Sequence, residues 1–76
     1  MEIRTVFASN LKMHRRMRGL SQEELAHQAK IDRTYISALE RCLYSASIDV
    51  VDRLAEVLEV EASDLLVRPS STRQST

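Results

Sequence analysis

Apolar residues recur along this chain at helical spacing and never in sustained alternation. Phe7, Leu11 and His14 share one stripe and predict a helix from about Arg4 to Arg18. Leu25, Ala26 and Ala29 predict a second, short helix, and Ile36 with Leu39 a third. Ile48, Val51, Leu54, Ala55 and Leu58 form the apolar face of a fourth, and a brief fifth is expected around Ala62–Leu66. The punctuation agrees. Gly19 is placed to end the first helix in the left-handed conformation. Ser21 followed three residues later by Glu24 has capping-box spacing, which satisfies two orphan amides reciprocally. Asp32 and Ser47 are N-caps for the third and fourth helices, with Asp49 in a first turn where negative charge suits the dipole. One domain is expected over residues 1–67. The remainder, 68–76, reads "RPSSTRQST", offers nothing to pack and is expected to be a disordered tail.

Two short helices joined by a three- to four-residue turn cross steeply, as in a helix-turn-helix. Ala26 is small where the second helix must come close, Ala29 and Ile31 bury the turn, and Leu25, Ile36 and Leu39 hold the pair on the core. The opening of the third helix is unusual. Arg33, Thr34, Tyr35 and Ser37 are all hydrogen-bonding side chains, where an ordinary solvated helix favours Glu, Lys and Gln.

Composition narrows the reading. The chain has 76 residues, so its core is small and stability is expected to lean on a second subunit. One Gly, one Pro and one Phe argue against a sandwich or barrel and for an all-α fold. The single Cys42 cannot form an internal disulfide, which fits a reducing cytoplasm. No apolar run approaches a membrane span and no signal-peptide pattern opens the chain, so an intracellular protein with no membrane partner is expected. Net charge is zero, yet residues 1–46 hold eight bases against five acids, while residues 47–66 hold one base against six acids. A basic face toward phosphates is compatible with that distribution, as are two ordinary solvated faces. His14 reads as a packed histidine, Cys42 as a small hydrophobe, and Met13 with Met17 as packing residues; none has metal-ligand spacing. No acid–base or nucleophile cluster is present, so no enzyme, cofactor or metal is expected.

"LSQEELAHQAKIDRTYISALER" resembles the Cro/C1-type helix-turn-helix of phage repressors and bacterial regulators. The resemblance extends over residues 5–66, since "LEVEASDLL" is similar to the family's closing helices. "IDRTYIS" on so short a chain is most similar to the controller proteins of restriction–modification systems. This implies a five-helix, lambda-repressor-like domain in a bacterial or phage cytoplasm, nucleoid-associated when bound. It would act as a homodimer on a pseudo-palindromic operator in double-stranded DNA, with the third helix in the major groove. Arg33, Thr34 and Tyr35 would then contact bases. Chemistry supports that independently, because an Arg fork fits guanine O6 and N7 and a threonine offers a methyl and a hydroxyl. Gln22 and Ser37 would meet phosphates, together with Arg15 and Arg41 from the basic set that includes Lys12 and Arg16. Arg15 and Glu40 match a structural pair tying the first helix to the third, worth about 0–1 kcal/mol if exposed.

Departures from the pattern matter too. Ala8, Lys30, Cys42 and Glu59 stand where the family often has Gly, so either strain or a rerouted turn is expected at Lys30 and Cys42. Tyr44 replaces a basic residue that often contacts DNA. Val57, Val60, Leu65 and Leu66 are expected to form the dimer interface. The competing reading is an antitoxin-like module that uses the same fold to hold a partner protein. Dimerisation and duplex binding by the purified chain discriminate the two.

Overall fold

Four α-helices and one closing 3₁₀ helix make up the chain in a computed structural model that describes residues 2–68. They are α1 (Ile3–Met17), α2 (Gln22–Ala29), α3 (Arg33–Glu40) and α4 (Ile48–Leu58), followed by the 3₁₀ helix Ala62–Leu66. No strand occurs among the described residues, and no helix among them is long and apolar enough to cross a membrane. The expected fifth helix is present, but as a tighter 3₁₀ turn. The expected tail lies, apart from Arg68, outside the described residues.

Local signals set the ends of these helices. The Ser21 hydroxyl accepts from the Glu24 amide at 3.0 Å, and the Glu24 carboxylate accepts from the Ser21 amide at 2.8 Å, closing the capping box. Asp32 caps α3 through the Thr34 amide at 2.9 Å, and Ser47 caps α4 through the Val50 amide at 3.1 Å. All four α-helices then stop in the same way. Gly19, Lys30, Cys42 and Glu59 adopt left-handed backbone, at φ of 71°, 58°, 62° and 60°. The next residue in each case, Leu20, Ile31, Leu43 or Val60, donates its amide back to the carbonyl five positions earlier, at 2.9–3.1 Å. This is the Schellman stop, in which an apolar residue follows the left-handed one. The strain expected at Lys30 and Cys42 is therefore real, and Glu59 shares it.

These stops turn the chain so that α1, α2, α3 and α4 surround one core. Leu11, Leu25, Ile36, Leu39, Leu54, Leu58 and Leu65 are sealed, along with Phe7, Ala26 and Ala29. Each large aliphatic side chain so buried contributes roughly 1.5–3 kcal/mol. The 3₁₀ helix packs against α1 and α4 and closes the base of the core with Leu65. Asn10 latches it there: its amide nitrogen donates to the carbonyls of Leu65 at 3.1 Å and Val67 at 2.8 Å.

Three expectations about apolar residues fail. Ile48 is in phase with the buried face of α4, yet it is 86% exposed. It occupies the first helical position, beyond the reach of the elements that cover Val51 and Leu54. Met13 and Met17 do not pack inward; they project from α1 at 47% and 73% exposure, because the core side of that helix is filled by Val6, Phe7, Ala8 and Leu11. Leu65 is fully enclosed within the single chain, so it has no surface to offer a partner.

Candidate nucleic-acid interface

Helices α2 and α3 are joined by three residues, Lys30, Ile31 and Asp32, and pack directly on each other. The left-handed Lys30 reverses the chain, Ile31 is half-buried against the core, and Asp32 starts α3. One face of α3 carries Ile36, Ala38, Leu39 and Glu40 into the protein, which leaves its first turn outside. Arg33 and Thr34 are exposed there, and Arg33 makes no hydrogen bond to the protein among the described residues. The guanidinium fork therefore keeps its donors for an external acceptor.

Thr34 is more committed. Its amide and its hydroxyl both donate to the Asp32 carboxylate at 2.9 Å, leaving the methyl and the oxygen lone pairs outward. Those two bonds, backbone first, pull the Asp32 carboxyl below the usual carboxylate range, and the nearby Arg33 charge adds to the effect. Tyr35 is half-buried and leans toward the loop after α3. Its hydroxyl donates to the Ser45 carbonyl at 3.4 Å, and its ring lies 6.2 Å from that of Tyr44 in a tilted pair. Tyr44 thus stands beside α3 as a neighbour of Tyr35. Ser37 is half-buried on α3, and Arg41 is exposed at its end.

The orientation of this surface rests on a buried ionic cluster. Arg15 Nε donates to Glu40 Oε2 at 2.7 Å and Arg15 Nη2 to Glu40 Oε1 at 3.0 Å. A third donor, Nη1, reaches the Leu20 carbonyl at 2.8 Å. The Glu40 side chain is 1% exposed and that of Arg15 11%, so the pair is not the solvated one of small value. Three Arg15 donors are held inside the protein and little of the side chain is exposed, which fits the expected structural pair. Gln22 joins the same cluster, with Nε2 donating to Glu40 Oε1 at 3.0 Å. One carboxylate so ties α1, α2 and α3 together. Because an amide nitrogen has two hydrogens, Gln22 keeps one donor uncommitted at the start of α2. Periodicity and motif spacing gave no sign of this bond, since 18 residues separate its partners.

The expected dimer residues divide. Leu65 is removed by burial, and Val57 and Val60 are half-buried against the core of their own chain. Leu66 alone of the four is exposed, at 40%.

Comparison with known proteins agrees with this geometry. A family model described as helix-turn-helix matches residues 11–65. The chain is 41% identical over 68 residues to a hypothetical transcription factor of Neisseria meningitidis serogroup B, covering 90% of this chain and 64% of that relative's length. The crystal structure of the Neisseria factor superposes with a TM-score of 0.87, over 90% of this chain and 78% of that one. Control protein C.SmaI of Serratia marcescens is 34% identical, over 90% of this chain and 81% of its own length. The restriction–modification controller protein C.Esp1396I, solved as a tetramer with its natural 35-base-pair operator, is 29% identical with a TM-score of 0.78, over 86% of both chains.

Proposed function

This chain belongs to the helix-turn-helix family, and from that premise we propose that it is a sequence-specific, double-stranded DNA-binding transcriptional regulator of the controller type. It binds a pseudo-palindromic operator as a homodimer, in the bacterial cytoplasm, and works by occupancy and not by catalysis. The observation that carries this reading is the first turn of α3, where Arg33 and Thr34 are exposed and the Arg33 donors are uncommitted. Arg33 reads a guanine edge and Thr34 presents its methyl to thymine. Tyr35, through its tilt toward Tyr44, contacts a base from the side. Gln22 positions the protein through a backbone phosphate while Glu40 holds its amide; Ser37 and the exposed Arg41 add phosphate contacts.

Selection of sites from random duplex DNA, followed by a salt titration on the winning site, tests the reading. A preferred palindromic sequence should emerge, and log affinity should fall linearly with log salt at about −0.9 per phosphate neutralised. No enrichment together with a flat salt response would exclude DNA binding as the main function. The fold would then serve a protein partner.

A further inference from the structure

The first turn of α3 presents two exposed side chains that differ in what they can offer. Arg33 makes no hydrogen bond to the protein among the described residues, and a guanidinium carries donors only. Thr34 is the reverse case. A hydroxyl owns one hydrogen and two lone pairs, and that hydrogen lies in a 2.9 Å bond to Asp32 Oδ1. The direction of the bond is fixed by chemistry, because an ionised carboxylate accepts only. Asp32 is ionised at neutral pH, since the bonds from Thr34, the backbone one first, hold its carboxyl below the usual range. The same Oδ1 accepts from the Thr34 amide at 2.9 Å, so the helix cap and the hydroxyl bond lock one geometry. What Thr34 keeps for an outside partner is a methyl group and acceptor lone pairs. Asp32 and Thr34 line an open hollow of about 490 Å³ together with Tyr35, Arg41 and Tyr44.

We propose that Asp32 determines specificity through Thr34: it makes the threonine an acceptor, which selects an exocyclic amine on a base edge, adenine N6 or cytosine N4, and rejects guanine and thymine there. The inference rests on the base contact proposed for Thr34 above and states which chemistry that contact reads. In the major groove only adenine and cytosine display a donor, whereas guanine offers N7 and O6 and thymine offers O4, all acceptors. Facing one of those oxygens, Thr34 would set lone pair against lone pair, and to donate it would have to give up its bond to Asp32. A threonine without that bond has no such preference, since its hydroxyl rotates to suit either partner. Arg33 beside it is donor-only, so the two residues cannot exchange targets. Arg33 takes guanine and Thr34 takes an amine.

A cycle between protein and base atoms tests the proposal on the site selected from random duplex DNA. Each adenine and cytosine of that site is replaced in turn, in both half-sites, by its analogue without the exocyclic amine, purine or 2-pyrimidinone, and binding is titrated at fixed salt. At one position the wild type should lose about two- to tenfold per amine removed. Thr34→Val keeps the shape and the methyl but has no acceptor, and should bind both duplexes alike. Asp32→Ala frees the hydroxyl and should flatten the preference between the natural base and a guanine or thymine at that position. Asp32→Asn, whose side-chain carbonyl still caps α3 and still accepts from the hydroxyl, should keep it. Ratios between duplexes carry the readout, so the lost cap in Asp32→Ala does not move it, and far-UV circular dichroism checks that each variant is folded. No amine effect at any position, or one that persists in Thr34→Val, would overturn the proposal and leave the DNA reading standing. A preference unchanged in Asp32→Ala, or lost equally in Asp32→Asn, would overturn the role of Asp32 as the fixed acceptor. A wild type that selects no duplex sequence would remove the DNA reading itself, and this inference with it.

Discussion

Replacing Arg15 with Met isolates the energetic role of the cluster that ties α3 to α1 and α2. The substitution keeps an unbranched, helix-favouring stem and removes the charge. Glu40 then loses its bonds of 2.7 and 3.0 Å and its counter-charge, retaining only the Gln22 amide at 3.0 Å. Its side chain is 1% exposed, so water does not replace the lost donors. Leaving one partner of a buried ion pair uncompensated costs about 3–5 kcal/mol. A domain of this size has a total stability of only about 3–10 kcal/mol. Arg15→Met should therefore remove from about a third to all of it. The double variant Arg15→Met, Glu40→Met has no stranded charge and should be more stable than the single one by about 1–3 kcal/mol, despite the Gln22 amide and Leu20 carbonyl it leaves unpaired. Urea denaturation followed by circular dichroism, at one fixed protein concentration, measures both. A cost for Arg15→Met below about 1 kcal/mol would place the pair among solvated surface bridges and refute the reasoning.

Three further outcomes are expected. Lys30→Gly relieves a left-handed residue at φ 58° and should raise stability by about 0.5–1 kcal/mol in thermal unfolding, whereas Lys30→Val should lower it. The Glu24 carboxyl is held low by hydrogen bonds to the backbone and then the side chain of Ser21, and that of Asp32 by those to Thr34. Both folded-state values lie below the unfolded ones, so their contribution is complete above the usual carboxylate range and is lost as pH falls through and below it; Glu24→Gln should flatten the acid limb of a stability–pH profile. Arg33→Ala should cost about 1–3 kcal/mol on the selected site and relax preference at one base pair, while Gln22→Ala should weaken all sites by a similar factor. Equal loss on every sequence for Arg33→Ala, in titrations against single-base variants, would make it a phosphate clamp.

Tertiary structure alone settled which apolar and polar groups find partners. Ile48 repeats in phase with Val51 and Leu54, yet nothing covers the first position of α4 and it stays outside. Leu65 and Leu66 are neighbours of equal hydrophobicity; the placement of the 3₁₀ helix against α1 and α4 sends one into the core and the other to solvent. Gln22 looks like a free helix-start residue until α3 brings Glu40 to it, and Asn10 gives no hint of a latch to carbonyls 55 and 57 positions away. Helix starts and stops, by contrast, were written locally. Ser21 with Glu24, Asp32 and Ser47 begin helices through bonds spanning two or three residues, and Gly19, Lys30, Cys42 and Glu59, each followed by an apolar residue, end them through bonds spanning five. Interactions of that reach depend on residue type and order, so they can be read along the chain, as can the Arg33 donors and the Thr34 methyl at a helix start. Burial and long-range pairing depend on what a distant segment places opposite, and that exists only once the chain has folded.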